Sequence, residues 1–109
     1  MLLKKYKLDT DFFKNNENKR NSKILSSNLF TLKKYKSDKL FSRFSVVVST
    51  KISKKATERN KIKRIVYKFI KEKNIYITPG NDFVFIAKKE IEKKIKKEII
   101  QDLIKLLAI

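Results

Sequence analysis

Near Ser53 the hydrophobic period of this chain changes from two to about 3.6, and that change constrains what the chain can fold into. Between Phe41 and Ser49 apolar residues alternate, with Phe44, Val46 and Val48 on one face and Ser45, Val47 and Ser49 on the other. This is the period of two that marks a half-buried strand. From about Ser53 to Lys73, Ile62, Ile65, Val66, Phe69 and Ile70 recur at i, i+3, i+4, i+7 and i+8, the stripe of an amphipathic helix. A strand running directly into such a helix requires a sheet packed against a helical layer.

The flanking segments extend this pattern. Asp9-Thr10-Asp11 before Phe12-Phe13 predicts a capped short helix, its carboxylates favoured at the positive end. The polar run from Asn15 to Ser22 stops it. Leu29-Phe30-Thr31-Leu32, continuing toward Tyr35, predicts a strand, and Lys36-Ser37-Asp38-Lys39 a turn into the Phe41–Ser49 strand. Two strands joined in this way suggest an antiparallel hairpin. Pro79-Gly80 marks a turn before a buried strand at Asp82-Phe83-Val84-Phe85-Ile86-Ala87. After Lys88-Lys89 a last helix is expected through Ile91, Ile95, Ile99, Leu103 and Leu106, with Glu90–Lys94 and Glu92–Lys96 as i, i+4 pairs. The expectation is an α+β, two-layer single domain over residues 1–109, ordered helix–strands–helix–strand–helix, with a mixed sheet of about four strands.

Charge narrows the partners. The chain holds 29 lysines and arginines against 11 acids, a net charge of +18. A domain this basic repels itself unless a polyanion neutralises it, and nucleic acid is the commonest polyanion, with an anionic membrane surface second. No apolar run approaches the roughly 18 residues of a membrane span. The first seven residues lack the apolar centre of a signal peptide, so a cytoplasmic location is expected. Cysteine and histidine are both absent. That removes disulfides, thiolate or imidazole metal sites, and the commonest general base.

Nothing else in the chain reads as catalytic. A single glycine rules out a Gly-rich phosphate loop, and no serine stands in a nucleophile-elbow context. Asp9-x-Asp11 is a close aspartate pair, better explained as a helix cap than as a magnesium site. The chemistry-bearing segment is instead Arg59-Asn60-Lys61-Ile62-Lys63-Arg64. Two of the chain's four arginines lie there, although lysine supplies nearly all of its other positive charge. Arginine's planar fork grips phosphate or a base edge through two hydrogen bonds, which lysine's point charge does not. At 100° per residue Asn60, Arg64, Tyr67 and Lys71 lie opposite the buried stripe. Lys61 and Lys68 flank that face on one side, Arg59 and Lys63 on the other. A solvated face in a lysine-biased chain also looks basic. Against that reading, no acid lies between Arg59 and Arg64, and Tyr67 stands where an aromatic could stack on a base. Lys51-Ile52-Ser53-Lys54-Lys55 forms a basic loop ahead of the helix. Ser53 is its expected N-cap, leaving amides for a phosphate. Phe12 and Phe13 read as core, with one of them a candidate to lie against single-stranded bases.

The stretch from Val46 to Arg64, with its Ser49-Thr50-Lys51 strand end and its Arg59-Asn60-Lys61-Ile62-Lys63-Arg64 run, resembles the protein component of bacterial ribonuclease P. That family carries an Arg-Asn-Arg-x-x-Arg-type signature on the helix after such a strand. Asp82 to Lys89 is similar to its fourth strand and the basic residues that follow, and the resemblance covers roughly residues 27–105. Lys61 replaces the second signature arginine, Tyr67 a position often basic, and Lys54 a frequent loop glycine. Asn16 or Glu17 stands where the family's first helix usually has a second aromatic.

The resemblance implies a division of labour. A large catalytic RNA removes the 5′ leader of precursor tRNA with magnesium, the cofactor being bound mainly by that RNA. The protein then has no catalytic residues, no small-molecule substrate and no membrane partner. By position, Arg59, Asn60, Lys61, Lys63, Arg64, Tyr67 and Lys68, with Lys51, Lys54 and Lys55 of the loop, are expected to contact the RNA subunit. Phe12, Phe13, Lys33 and Arg43 are expected on the leader side. The rival reading is a ribosomal or general structural RNA-binding protein with no part in cleavage.

Overall fold

A computed structural model describes residues 6–7, 22–36, 40–75 and 80–108. The short helix expected around residues 9–14 and the turn at residues 37–39 lie outside them, as does Pro79.

Strands β1 (Ser22–Ser26), β2 (Phe30–Lys36) and β3 (Arg43–Val47) precede helix α1 (Ala56–Glu72). Strand β4 (Asn81–Ala87), a 3₁₀ turn at Lys89–Ile91 and helix α2 (Lys96–Leu107) follow. The four strands form one mixed sheet in the order β1-β2-β4-β3. Strand β2 is antiparallel to both neighbours, whereas β3 runs parallel to β4. Both described helices cover the same sheet face, where Phe30, Leu32, Phe44, Val46, Phe83 and Phe85 meet Ile65, Val66, Phe69 and Ile70 of α1 and Ile99 and Leu103 of α2. Phe44 and Phe83 stack with ring centroids 5.1 Å apart, and Phe30 meets Phe85 edge-on at 6.2 Å. Each large side chain so buried is worth about 1.5–3 kcal/mol.

The mixed two-layer architecture matches the expectation, but the pairing does not. The expected β2–β3 hairpin is absent, because β4 lies between those strands. Phe83, Val84 and Phe85 are buried on both faces of the sheet, and a strand apolar on both sides belongs at the centre. The actual hairpin joins β2 to β1, a strand with no apolar alternation to announce it. Its turn is closed by the Ser27 amide donating to the Phe30 carbonyl at 2.8 Å. Asp102 of α2 holds the same turn, accepting from the Ser27 hydroxyl at 2.6 Å and the Leu29 amide at 3.1 Å.

Two helix starts also differ from expectation. Lys55, not Ser53, is the N-cap of α1. The Ser53 hydroxyl instead accepts from the Lys55 amide at 3.3 Å and donates to Glu58 at 2.6 Å. Helix α2 begins at Lys96 rather than just after Lys89. Lys93 at φ 68° takes the backbone out of any helix, so Glu90–Lys94 and Glu92–Lys96 are not helical pairs. Ile91 is buried at the end of the 3₁₀ turn, while Ile95 is 61% exposed as the α2 N-cap. The i, i+4 ion pair that forms is Lys94–Glu98 at 3.7 Å. Gly80 enters β4 at φ 87°, where a Cβ would clash.

Candidate nucleic-acid interface

The N-terminal half of α1 is fixed by the loop before it. Ile52 is buried in the core, and its amide donates to the Ser49 carbonyl at 3.1 Å. That contact turns the loop outward, leaving Lys51, Lys54 and Lys55 exposed. Arg59 is half-buried and donates to the Ser53 carbonyl at 2.8 Å, tying the first turn of the helix to the loop. One signature arginine therefore has a local structural contact. The other, Arg64, is exposed and makes no ion pair among the described residues.

Burying Ile65, Val66, Phe69 and Ile70 forces the remaining faces of α1 outward. Asn60, Lys63, Arg64, Tyr67, Lys68 and Lys71 thereby line a groove of about 720 Å³, joined by Lys7 and Glu72. Five cations face one carboxylate, which lies 3.9 Å from Lys68 with both groups well exposed, a pairing of little energetic weight. Lys7 carries no local sequence signal for this site. It reaches the groove because its backbone bridges in parallel to Phe44 on β3, a long-range contact that no motif announces. Its ammonium lies 4.9 Å from the centre of the Tyr67 ring, within cation–π range.

Tyr67 is therefore anchored rather than free on the surface. Its ring is half-buried and packed against the core cluster. Burial raises the phenol pKa above the usual 10, with a backbone hydrogen bond at Val46 pulling the other way. One face of the ring carries the Lys7 cation, so only the part of the ring left exposed by the core is open to a ligand. Lys61 projects to the opposite flank of α1, where it joins Ile52, Ile62 and Ile95 around a second groove.

The expected leader-side residues occupy a different layer. Lys33 and Arg43 lie on the sheet face turned away from α1 and α2, with Lys33 opposite Val84 and Arg43 opposite Asp82 in the register. Arg43 grips Asp82 with a two-pronged contact, Nε to Oδ1 at 2.8 Å and Nη2 to Oδ2 at 2.7 Å. The Asp82 carboxylate is fully buried. Phe12 and Phe13 lie outside the described residues, as do Asp9 and Asp11. Among the described residues, no three carboxylates come together. The two buried ones, Asp82 and Asp102, both accept hydrogen bonds within the fold. No described helix is long and apolar enough to cross a membrane.

Comparisons with known proteins converge on one family. The ribonuclease P protein component of Synechocystis sp. is 49% identical over 46 residues, which span 42% of this chain and 37% of the cyanobacterial protein. The chain thus matches little more than a third of that relative's length. The fold superposes on the RNase P protein of Thermotoga maritima with a TM-score of 0.75 and 28% identity, covering 94% of this chain and 96% of that one. The Staphylococcus aureus RNase P protein shares the fold at a TM-score of 0.83 and 21% identity, over 94% and 93% of the two chains. The ribonuclease P family model matches residues 4–109, nearly the whole sequence. The chain belongs to the ribonuclease P protein family.

Proposed function

We propose that this chain, acting as one RNA-binding domain, is the protein subunit of ribonuclease P and supports removal of the 5′ leader from precursor tRNA in the bacterial cytoplasm. The observation that carries the reading is the α1 groove, where Lys7, Lys63, Arg64, Lys68 and Lys71 converge beside Asn60 and Tyr67. Lysines at such spacing neutralise successive phosphates, Arg64 adds a fork for a phosphate or base edge, and Asn60 offers both a donor and an acceptor. Lys51, Lys54 and Lys55 extend the same positive surface into the loop. In this reading the face of α1 docks on the catalytic RNA.

The other sheet face takes the leader. Lys33 supplies charge there, while the partly exposed Val47 and Ile86, packed on the buried Tyr35 and Val84, provide apolar surface for unstacked bases. Phe12 and Phe13 remain candidates for the same role. Magnesium, bound mainly by RNA phosphates, supplies the metal assistance for phosphodiester hydrolysis. The protein holds two RNAs together and lowers phosphate repulsion through its charge, so its effect is greatest where magnesium is scarce.

The test is cleavage of a precursor tRNA at low magnesium by a bacterial ribonuclease P RNA, with and without this protein. Stimulated cutting at the mature 5′ end, lost in Arg64→Ala, is the expected outcome. Folded protein that binds RNA yet leaves cleavage by its cognate RNA unchanged would favour a structural RNA-binding role instead.

A further inference from the structure

The signature run does not face a single surface. Asn60, Lys63 and Arg64 line the groove already described, but Lys61 points to the other flank of α1. There a separate groove of about 410 Å³ opens between α1 and the turn leading into α2. Its floor is aliphatic, formed by Ile52, Ile62 and Ile95, and Ile95 is 61% exposed although it is among the chain's larger apolar residues. Its rim is predominantly cationic: Lys61, Lys93 and Lys96 form no ion pair among the described residues, Lys94 pairs with Glu98, and Glu92 is a carboxylate on the same lining. Glu58, on the same rim, is already bonded to Ser53.

We propose that this groove is a second RNA contact, receiving an unstacked nucleotide of the RNA that engages the other side of α1. The inference rests on the RNA-binding reading above and extends it to residues outside the signature helix. Three observations support it. The volume suits a small planar group, being within the roughly 300–1,000 Å³ typical of ligand pockets. An aliphatic floor whose rim holds four lysines against two carboxylates complements a nucleotide, with the base against the isoleucines and the phosphates at Lys61, Lys93 and Lys96. The surface is also continuous with the first through α1, so an RNA strand crossing the helix at Asn60–Lys61 meets both. A second copy of this chain is a poor occupant, since each carries +18 and like-charged rims repel.

The substitutions that test this can be chosen to spare the fold. Lys93→Asn suits a backbone at φ 68°, because asparagine tolerates the left-handed region. Lys96→Gln keeps a good helix former. Ile95→Asp places a preferred N-cap residue on α2 while adding a negative charge to the groove. The double variant Lys93→Asn/Lys96→Gln is expected to bind ribonuclease P RNA with a log–log salt slope shallower by about two, roughly one for each phosphate no longer neutralised. Ile95→Asp is expected to weaken binding about tenfold or more without lowering the melting temperature. Because the chain has no cysteine, Ile95→Cys also gives one attachment point for a photo-crosslinker in the assembled particle. It should label RNA, whereas Lys105→Cys on the far part of α2 should not.

Wild-type slope and affinity in both charge variants, with no RNA crosslink from position 95, would overturn the proposal and leave the groove to an acidic protein partner. If Arg64→Ala still weakens binding in that case, the wider RNA-binding reading survives. If wild-type protein fails to bind the RNA at all, both fall together.

Discussion

Arg43 and Arg64 are the same residue type put to opposite uses. Arg43 spends two of its donors on Asp82, a carboxylate with no exposure to solvent. Arg64 stands on the outer face of α1 with no ion-pair partner among the described residues, beside four lysines. The difference lies in the partner rather than in the arginine. A buried acid across the sheet converts a cation into part of the fold, whereas a surface of like charges leaves it available to a polyanion. Arg59, tied to a backbone carbonyl of its own loop, lies between these extremes.

The sharpest way to break the comparison is Arg43→Ala. It leaves the Asp82 carboxylate buried without its main cation. The expected loss is about 2–3 kcal/mol, less than for a fully buried pair because the Arg43 side chain keeps 27% exposure. Thermal unfolding followed by circular dichroism should show a midpoint lowered by on the order of 10 °C. An unchanged midpoint would return Arg43 to the set of cations free for RNA.

Arg64→Ala should do the reverse. Stability should stay within about 0.5 kcal/mol of wild type, as for most surface changes. Affinity for the catalytic RNA should fall about tenfold, as expected when one charge-assisted hydrogen bond is removed.

Tyr67→Phe probes the boundary between the two uses, since that ring is both packed and groove-lining. Removing the hydroxyl costs about 1 kcal/mol through the hydrogen bond at Val46. It should also change the alkaline limb of the stability curve. Because burial raises the Tyr67 pKa in the folded state, its contribution is complete below pH 10. It is lost as pH rises past 10 through the folded-state value. Chemical denaturation of both proteins across that range should show the wild type losing more stability than Tyr67→Phe. Parallel curves would mean that the phenol is as solvated folded as unfolded.

Lys61→Arg is the mildest change. It restores the fork of the family signature at a position already facing the second groove, so RNA affinity should rise by a few-fold at most. Weaker binding in an equilibrium titration would show that the groove favours a compact ammonium.

The helical layer over the sheet was legible because both periods were strong. The alternation of Phe44, Val46 and Val48 and the stripe from Ile62 to Ile70 each permit one burial pattern, and both are buried accordingly apart from a half-exposed Ile62. The cationic face followed from geometry, since whatever is not on the stripe must face out. What stayed hidden was set by contacts distant in sequence. The insertion of β4 between β2 and β3 depends on which strand most needs two covered faces, a competition no local window displays. Lys7 enters the groove through a bridge to a strand 37 positions away. The late start of α2 was masked by Ile91 and Ile95, which continue the helical spacing. The break is made by Lys93, a lysine in a conformation that glycine or asparagine usually signals. Arg43 looked like one more cation because its partner, Asp82, is 39 residues further along.

The most direct test of the central claim is equilibrium binding of the wild type, Arg43→Lys and Arg64→Ala to ribonuclease P RNA over a range of salt. Melting temperatures should be measured on the same samples. The account predicts steeply salt-dependent binding by wild type. Arg64→Ala should bind more weakly, with a slope shallower by about one and an unchanged melting temperature. Arg43→Lys should melt earlier yet bind, while folded, with the wild-type slope. Folded Arg64→Ala that binds with wild-type affinity and slope would contradict the assignment of the α1 face to RNA.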